Sequence, residues 1–456
     1  MTLARSIAEF VHGASVPDDV RAAAHIAIVD CIGCILAGAA TSTTQSLVKA
    51  LGDTSGPATL LGLGRSASVR EAALVNGTAA HALDYDDVNW SLYGHPSVAI
   101  LPTLLAIAEV EDPSYAELLD AYALGVEVAG KLGRWTNPAL YLRGWHATSA
   151  VGVIGAAAGA ARLMKLPVEE TMKAIAASAS MAAGIRENFG TMVKPLHAGR
   201  AAEAGVLAAS LARAGFTASE QALDGRYGFF NVLTTERQPT AEQALAEFGQ
   251  PWDCLTPGIV LKRYAACGAT HCALDAALAL RAELAFAPEE VAEIRCGSDP
   301  FALKVLQYHK PKTGLEGKFS MQFCLALAAL EGQPRLMHFT DKWATSPAVV
   351  DLVSRVIVED RTDLGMGFQD AVPAEVEIRL RDGRRASHVV HVPSGDPRNP
   401  MDEGERRTKF LDCVSEILPD GRAVWDRVQD MNGKASAAEV IASLRGRKMP
   451  PIASYG

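Results

Sequence analysis

The sequence predicts a mainly α-helical protein, with a large all-α helical domain and a smaller α+β domain. Long, Ala-rich helical patterns fill roughly the first 250 residues. Segments that alternate apolar and polar residues, as half-buried strands do, first occur after about Pro257. Helical patterns return in the tail, over residues 402–417 and 437–444. We therefore place the helical domain at residues 1–265, completed by residues 400–456, and the α+β domain at residues 266–399.

Capping signals mark the helix starts of the first part. Pro17-Asp18-Asp19 precedes the long apolar run Val20–Leu36, which predicts a buried central helix. Ser114 and Glu117 form a capping-box pattern before Leu118–Val128. Further helical patterns run over 167–185 and 198–214. Small residues at close spacing let helix axes approach, so we expect a compact multi-helix bundle.

Strand signals define the second part. Val291–Cys296 alternates, and Val356–Asp360 is typical of a short strand. The segments 375–380 and 386–392 flank Asp382-Gly383, which predicts a hairpin with a two-residue turn. Helical patterns over 270–284 and 318–330 lie between the strands, so the part is α+β.

Charge and composition narrow the class of partner. The chain has 43 Lys and Arg against 52 Asp and Glu, a net charge of −9, which argues against nucleic-acid binding. A small anionic substrate is still compatible with this net charge, because the local charge of a pocket can differ in sign from that of the whole chain. The start is typical of a helix rather than a signal peptide, and Ala147–Ala161 is too short and weakly apolar to span a bilayer. We expect a cytoplasmic protein without membrane or nucleic-acid partners.

Cofactor signatures are missing from the sequence. There is no Walker phosphate loop and no glycine-rich dinucleotide turn. Cys31-Ile-Gly-Cys34 lies inside an apolar helical run without further ligands at zinc spacing, so we interpret both cysteines as core residues. The sequence predicts no metal and no cofactor.

An acidic run is the first candidate for chemistry. Asp84, Asp86 and Asp87 follow a helical pattern and precede the turn that contains His95. Crowded carboxylates raise at least one pKa and can poise a base. A solvated acidic loop, or a weakly indicated divalent-metal site, would give the same pattern.

Basic and aromatic groups at two helix starts are the next candidates. His146, beside Trp145, opens a long small-residue helical pattern, where unpaired N–H groups could bind a substrate carboxylate. Lys194, His197 and Arg200 lie within seven residues at another helix start, an arrangement that favours an anion site. A capping His146 and a merely solvated Arg200 are the alternatives.

A cysteine is the last candidate. Cys267 precedes a helical pattern that contains His271, and a helix start lowers a thiol pKa. Cys267 could then serve as acid, base or nucleophile. The alternative is a free, partly buried cysteine without a chemical role.

Taken together, the candidate runs resemble the MmgE/PrpD family, which includes 2-methylcitrate dehydratases, cis-aconitate decarboxylases and iminodisuccinate epimerases. The motifs that carry the resemblance are Asp84-Tyr-Asp-Asp87, Gly94-His95-Pro-Ser97, Gly144-Trp-His146-Ala-Thr-Ser149, Asn188-Phe-Gly-Thr-Met-Val-Lys194-Pro-Leu-His-Ala-Gly199, Tyr264-Ala-Ala-Cys-Gly-Ala-Thr-His271, Leu223-Asp-Gly-Arg-Tyr-Gly-Phe229 and Lys318-Phe-Ser320. Their order and spacing agree over nearly the whole chain. The resemblance implies a helical domain with a smaller α+β lid domain, a homodimer, and a reaction without metal or cofactor.

The resemblance also implies site residues, and the chain departs from some of them. Asp84, His95, His146 and Lys194 correspond to site groups of the decarboxylase branch. Val88 replaces a Thr of that branch, and Cys267 replaces a His. Val98-Ala99 stands where the dehydratases usually have Asp-Asn. These departures favour the epimerase-like branch.

The predicted function is a lyase that acts on a small di- or tricarboxylate by proton abstraction next to a carboxylate, as a 2-methylcitrate dehydratase does. The alternatives are an iminodisuccinate-type epimerase, a cis-aconitate decarboxylase, an idle carboxylate binder and a thiol hydrolase. Lys194 would bind a carboxylate, His95 or His146 would move the proton, and Asp84 would orient a ring or bind the substrate. Cys267 would be the second acid or base of an epimerase. The predicted substrate-binding residues are Trp145, Thr191, His197, Arg200, Tyr264 and His271.

Overall fold

The structure, a computed structural model, describes residues 1–235, 238–364, 371–415, 417, 420–430 and 436–445. It is mainly α-helical, as the sequence predicts. The chain forms two compact units. The first contains residues 1–82, 86–259 and the described residues from 407 onward, and the second contains residues 83–85 and 260–406.

The elements follow in chain order. Up to residue 259 they are α1 Leu3–Gly13, α2 Asp18–Ala39, α3 Ser42–Leu51, β1 Ala58–Leu60, β2 Arg65–Ala67, α4 Val69–Ala82, α5 Ser97–Glu111, α6 Tyr115–Thr136, α7 Ala139–Leu142, α8 Ala147–Ala150, α9 Gly152–Leu163, α10 Val168–Ala179, α11 Val193–Arg213, α12 Phe229–Leu233 and α13 Ala241–Glu247. The second unit adds α14 His271–Leu284, β3 Val291–Ser298, α15 Pro300–Val305, α16 Gly314–Gly317, α17 Met321–Glu331, α18 Asp341–Ala344, α19 Pro347–Val353, β4 Val356–Asp360, β5 Ala374–Leu380 and β6 Arg385–Val390. The tail contains α20 Glu403–Val414, α21 Gly421–Gln429 and α22 Ala437–Ser443.

Helix α2 is the buried central helix that the apolar run predicts. Cys31 and Cys34 lie in its core, which confirms their interpretation as packing residues. By length and composition α2 could cross a membrane, yet 72% of its most apolar window is buried inside the protein, which the core helix of a globular domain also shows. The buried ion pair between Asp30 of α2 and Lys409 of α20, 2.7 Å apart, fastens the tail to this helix.

Close helix packing in the first unit depends on small residues. Helices α4 and α11 cross where Gly77 meets Gly199, and a Cβ added at Gly77 would lie 2.9 Å from the Gly199 Cα. A Cβ at Gly38 of α2 would lie 1.8 Å from the Ala79 carbonyl oxygen of α4. The expected small-residue bundle is therefore confirmed at these two crossings.

The second unit contains a four-stranded sheet in the order β4-β3-β5-β6. Strands β3 and β4 are parallel, and the other two pairs are antiparallel. The predicted hairpin is present, but the two-residue turn is wrong. Leu380 bonds Arg384, so the loop has three residues and ends at Gly383, whose φ of 92° is the left-handed conformation such a loop requires.

Three helix boundaries differ from the expected ones. Helix α10 ends at Ala179 rather than near Ile185, because Gly184 takes a φ of 102° and Ile185 pairs with Trp145 as a β-bridge. Helix α11 begins at Val193, before the expected Ala198. Pro195 falls in its first turn, where a missing N–H removes no helical bond. Helix α17 begins at Met321 rather than Lys318, because the Ser320 hydroxyl accepts from the Phe323 N–H.

Candidate active site

A cluster of imidazoles lies in the first unit, where four segments converge. His81 ends α4, His95 follows the acidic turn, His146 precedes α8, and Lys194 and His197 lie in the first turns of α11. The His81 and His95 ring centroids are 4.6 Å apart, and those of His81 and His146 are 5.7 Å apart. Residues that are more than 100 positions apart in the sequence therefore share one site.

Asp86 holds two of these rings. Its carboxylate oxygens both lie 3.0 Å from His81 Nδ1, and one of them lies 2.9 Å from His95 Nδ1. Burial by itself raises the pKa of the Asp86 carboxyl, but the His81 and His95 rings lower it well below its ordinary range. An ionised carboxylate only accepts hydrogen bonds, so both Nδ1 atoms carry hydrogen and donate. Burial lowers the pKa of His81 to about 3, so the Nε2 atom of its neutral ring is then a proton acceptor.

His146 pairs with His197. Their Nδ1 atoms lie 3.1 Å apart, and the His146 backbone N–H donates to the Gly184 carbonyl at 3.0 Å. Burial lowers the pKa of His197 to about 4, and the Lys194 charge adds to this effect. The pKa of His146 is also well below its usual value, first through burial and then through the charges of its neighbours. Both rings are therefore neutral at pH 7.

Lys194 supplies the positive charge of the cluster. The side chain is buried, and its Nζ lies 5.3 Å from the Phe189 ring centroid. Phe189 packs edge-on against His146, with the ring centroids 4.9 Å apart. Among charged neighbours, Lys194 lowers the pKa of His81, His146 and His197. A buried ammonium that acts on three rings is suited to an anionic substrate.

Asp87 is the carboxyl whose pKa is raised. Burial raises its pKa to about 7, against hydrogen bonds from Ser97 and with the help of the Asp86 charge. The Ser97 hydroxyl contacts both the Asp87 carboxylate and the Tyr122 hydroxyl. The acidic run thus contains the expected raised pKa, but burial is a larger cause than like charge. The Asp87 backbone carbonyl also accepts from His95 Nδ1, at 2.8 Å.

The turn before His95 is held by backbone and amide bonds. The Asn89 N–H donates to the Gly94 carbonyl, and the Asn89 side-chain oxygen accepts from the Leu92 N–H, both at 2.9 Å. The His95 N–H donates to the Thr148 hydroxyl at 3.1 Å. These bonds fix the position of His95. Its side chain is 13% exposed, so the ring is within reach of solvent.

Asp84 belongs to the second unit, where two buried lysines hold its segment. Lys262 Nζ donates to the Asp84 carbonyl at 2.9 Å and lies 3.1 Å from its carboxylate. Lys318 Nζ contacts the Leu83 and Ala265 carbonyls, the latter at 3.1 Å. The φ of Asp84 is 51°, a left-handed conformation that is uncommon outside glycine. The ammonium groups support that conformation.

The other candidates of the second unit lie near each other. The Tyr264 hydroxyl donates to Asp275 at 2.6 Å, and its ring packs edge-on against His271 with the centroids 5.1 Å apart. His271 Nε2 lies 3.3 Å from the Ala266 carbonyl. Cys267 is half-buried, and a 3-10 turn over Gly268–Thr270 separates it from α14. Cys267 therefore lies near a helix start, as the sequence predicts, with one 3-10 turn between it and α14.

Three candidates of the first unit lie outside the imidazole cluster. Arg200 has 60% of its side chain exposed and pairs with Glu203, which also pairs with Arg70. Thr191 is exposed and donates to the Asn188 carbonyl at 2.9 Å. Trp145 is half-buried in its bridge with Ile185. The long helix expected after His146 is interrupted at Val151, so that His146 precedes a helix of four residues.

The sequence indicates Asp86 only as one of three crowded carboxylates, and it gives no role to His81, Lys262 or Lys318. His81 lies near the end of α4, whose residues from Ala72 onward are all buried, and the small residues of that stretch are the sequence signal for its burial. Lys262 lies two residues before the Tyr264 motif and Lys318 begins another motif, but a lysine is ordinarily exposed. Only the fold shows that both ammonium groups are buried.

Ring nitrogens of His81, His95 and His146 lie within 4.8 Å of one another, a spacing at which three imidazoles could hold a divalent metal ion. The Lys194 charge opposes this, because it disfavours a cation among these rings just as it disfavours a proton. The donor set therefore fits a metal poorly and an anion better.

A mainly α protein that buries imidazoles, a carboxylate and an ammonium together has the site of an acid–base enzyme for an anionic substrate. The chain matches the MmgE/PrpD N-terminal domain over residues 5–242 and the MmgE/PrpD C-terminal domain over residues 264–432, and it belongs to the MmgE/PrpD family.

Curated relatives of the chain are cis-aconitate decarboxylases. It is 30% identical to that of Mus musculus over 76% of this chain and 72% of the relative. It is 28% identical to that of Homo sapiens over 84% of this chain and 81% of the relative. Identity to the enzyme of Aspergillus terreus (strain NIH 2624 / FGSC A1156) is 25%, over 91% of this chain and 90% of the relative.

Proposed function

We propose that the protein decarboxylates cis-aconitate or a closely similar tricarboxylate. The protein is a lyase of the MmgE/PrpD family, and its relatives named above are cis-aconitate decarboxylases. The observation that carries the proposal is the grouping of Lys194 with neutral imidazoles held by the ionised Asp86. This grouping can bind a polyanion and move a proton without a cofactor.

The chemistry that these residues would support is simple in outline. The bond between a carbon and its carboxylate breaks, carbon dioxide leaves, and the electron pair stays on the substrate carbon. That carbon takes one proton, so the conversion of the trianion to a dianion consumes one proton. Lys194 would stabilise the charge that remains, and an imidazolium of the cluster would deliver the proton.

Binding of the substrate would itself generate the general acid, a protonated imidazole of the cluster. The rings of His81, His146 and His197 are neutral in the free protein, because burial and Lys194 lower their pKa values. A bound trianion offsets the Lys194 charge and favours a protonated ring. His95, whose side chain is 13% exposed, is the ring best placed to take that proton from solvent.

The testing experiment is proton NMR in deuterium oxide with separate additions of cis-aconitate, citrate, 2-methylcitrate, malate and iminodisuccinate. Conversion of cis-aconitate to a dicarboxylate with one solvent deuteron is the expected result. Turnover of 2-methylcitrate alone, or deuterium exchange at an α-carbon without a new skeleton, would contradict decarboxylation.

A second candidate is the dehydratase or epimerase chemistry of the same family. It is favoured by Val88 and Cys267, which replace a Thr and a His of the decarboxylase branch. Val88 is buried, whereas Cys267 is half-buried and is the most accessible of the eight cysteines. The NMR experiment separates these reactions, and alkylation of Cys267 should stop an epimerase but leave a decarboxylase active.

The family resemblance supports three further proposals. We propose that residues 266–399 act as a lid domain to a helical domain formed by residues 1–265 and 400–456. We also propose that the protein is a cytoplasmic homodimer. Light scattering should then give about twice the chain mass of 48.2 kDa, and a monomeric mass would contradict the dimer.

A further inference from the structure

His81 has an unusual environment for a buried histidine. Its side chain is fully buried, and Nδ1 is occupied by both oxygens of Asp86. Nε2 is also buried and meets no hydrogen-bond partner within the part of the chain that the structure describes. An unpaired buried polar atom destabilises the folded protein, and such atoms are rare in native proteins. A ligand that reaches Nε2 would remove this destabilisation.

The identity of the unpaired atom restricts that ligand. Because Asp86 is ionised, the Nδ1 atoms of His81 and His95 both carry hydrogen. His81 Nε2 is therefore a lone-pair acceptor until it gains a proton. A tricarboxylate trianion has no hydrogen to offer, so contact with it requires that the ring become an imidazolium.

The surroundings of His81 permit that change when an anion binds. Burial is the largest influence on the pKa of His81 and lowers it, the neighbouring Lys194 and His95 lower it further, and Asp86 raises it. His146 stacks at 5.7 Å, and His197 lies beyond it as the partner of His146. A trianion at Lys194 removes the main opposing charge and leaves Asp86 as the counter-ion of the protonated ring.

We propose that His81 is a further catalytic residue, which contacts the bound substrate through Nε2 and shares with His95, across Asp86, the proton that is taken up on binding. The inference rests on the proposed function for the identity of the substrate. During turnover the carbon–carboxylate bond breaks, carbon dioxide leaves, and the electron pair on carbon takes the Nε2 proton. The ring returns to neutral, Asp86 stays ionised, and water supplies the next proton.

The first test measures proton uptake. Tricarballylate, a saturated tricarboxylate that cannot react in this way, is titrated into the full-length protein by calorimetry in buffers of different ionisation enthalpy. We expect uptake of about one proton by the wild type at pH 7.5, and clearly less by His81→Gln. His25→Gln is the matched control, because His25 is a histidine of the same unit that bonds Tyr115 and lies outside the cluster.

The second test measures catalysis. We expect His81→Gln to lower kcat on cis-aconitate by about 10²-fold or more, with tricarballylate affinity kept within about tenfold, while His25→Gln keeps its kcat. A purely structural role would lower kcat without changing proton uptake, and that result would overturn the proposal. A kcat within about threefold of the wild type would overturn it as well.

A third measurement does not depend on a stable variant. In wild-type protein labelled with nitrogen-15 histidine, the His81 Nε2 signal should move from the acceptor to the protonated range when tricarballylate binds. An unchanged signal in the complex would contradict the assignment. If the wild type turns over none of the acids, the proposed function fails, whereas proton uptake and the nitrogen signal still decide the role of His81.

Discussion

At the scale of single residues, Asp86 organises the site. One ionised carboxylate accepts from Nδ1 of both His81 and His95, and so places a hydrogen on Nδ1 of each ring. Two carboxyl groups adjacent in the sequence behave in opposite ways, since the pKa of Asp86 is lowered and that of Asp87 is raised to about 7. The difference comes from their partners, which are two imidazoles for Asp86 and the hydroxyl and backbone N–H of Ser97 for Asp87.

Lys194 and Arg200 provide a matched comparison on one helix. Lys194→Ala should lower kcat/KM for cis-aconitate by about 10²–10³-fold, because it removes the buried ammonium that stabilises developing charge. Arg200→Ala should change it by less than about threefold, because that side chain is exposed and paired with Glu203. Initial rates followed by NMR check both values. Equal losses in the two variants would contradict the separate roles.

Because of the Lys194 ammonium, we expect that removing metal ions has no effect on activity. Dialysis against EDTA should leave the decarboxylation rate unchanged, since the Lys194 charge disfavours a cation among the imidazoles. Metal analysis of the dialysed protein is the control. Loss of activity that returns on adding zinc would instead assign His81, His95 and His146 a metal.

At the scale of elements, the crossing of α4 and α11 positions the site. His81 lies at the end of α4, and Lys194 and His197 lie in the first turns of α11. The distance between these helices is set by glycines, and a Cβ at Gly199 would lie 2.2 Å from both the Leu74 carbonyl and the Thr78 hydroxyl. The cluster therefore depends on a backbone contact that larger residues do not allow.

Gly199→Ala should lower the free energy of unfolding by about 1–3 kcal/mol and should also lower activity, because the two helices must separate. Gly13→Ala is the control, since a Cβ there meets nothing within 4 Å. Its effect should stay within about 1 kcal/mol and can be stabilising. Urea unfolding of both variants gives the comparison. An unchanged stability in Gly199→Ala would show that the crossing tolerates a methyl group.

At the scale of the whole molecule, the buried histidines make the fold sensitive to acid. Burial lowers the pKa of His81 to about 3 and that of His197 to about 4, against an ordinary 6.5. As pH falls below 6.5, these histidines bind protons in the unfolded chain but not in the folded protein, so the free energy of unfolding decreases. Asp87 acts in the opposite sense between pH 3.8 and about 7, because its folded carboxyl keeps a proton that the unfolded chain loses.

The pKa of His146 is lowered too, so three histidines that bind protons near pH 6.5 in the unfolded chain outweigh Asp87, Glu127 and Asp275, whose pKa values are raised. We therefore expect the free energy of unfolding to fall between pH 7 and pH 5. His197→Gln should show a weaker pH dependence, since it removes one of the groups that the unfolded chain protonates. Urea unfolding at both pH values measures the slopes. Equal stability of the wild type at pH 5 and pH 7 would contradict this account.

The sequence by itself determined the mainly α character, the buried helix α2, the capping box at Ser114 and the strands β3 and β4, because these follow from local periodicity and capping. Its motifs also determined the family. The tertiary structure alone decided that His81 and Asp86 belong with His95, His146 and Lys194, that Arg200 does not, and that Lys262 and Lys318 are buried. The physical reason is that burial and the partners of a charged group depend on segments far apart in the chain, and no local pattern records them.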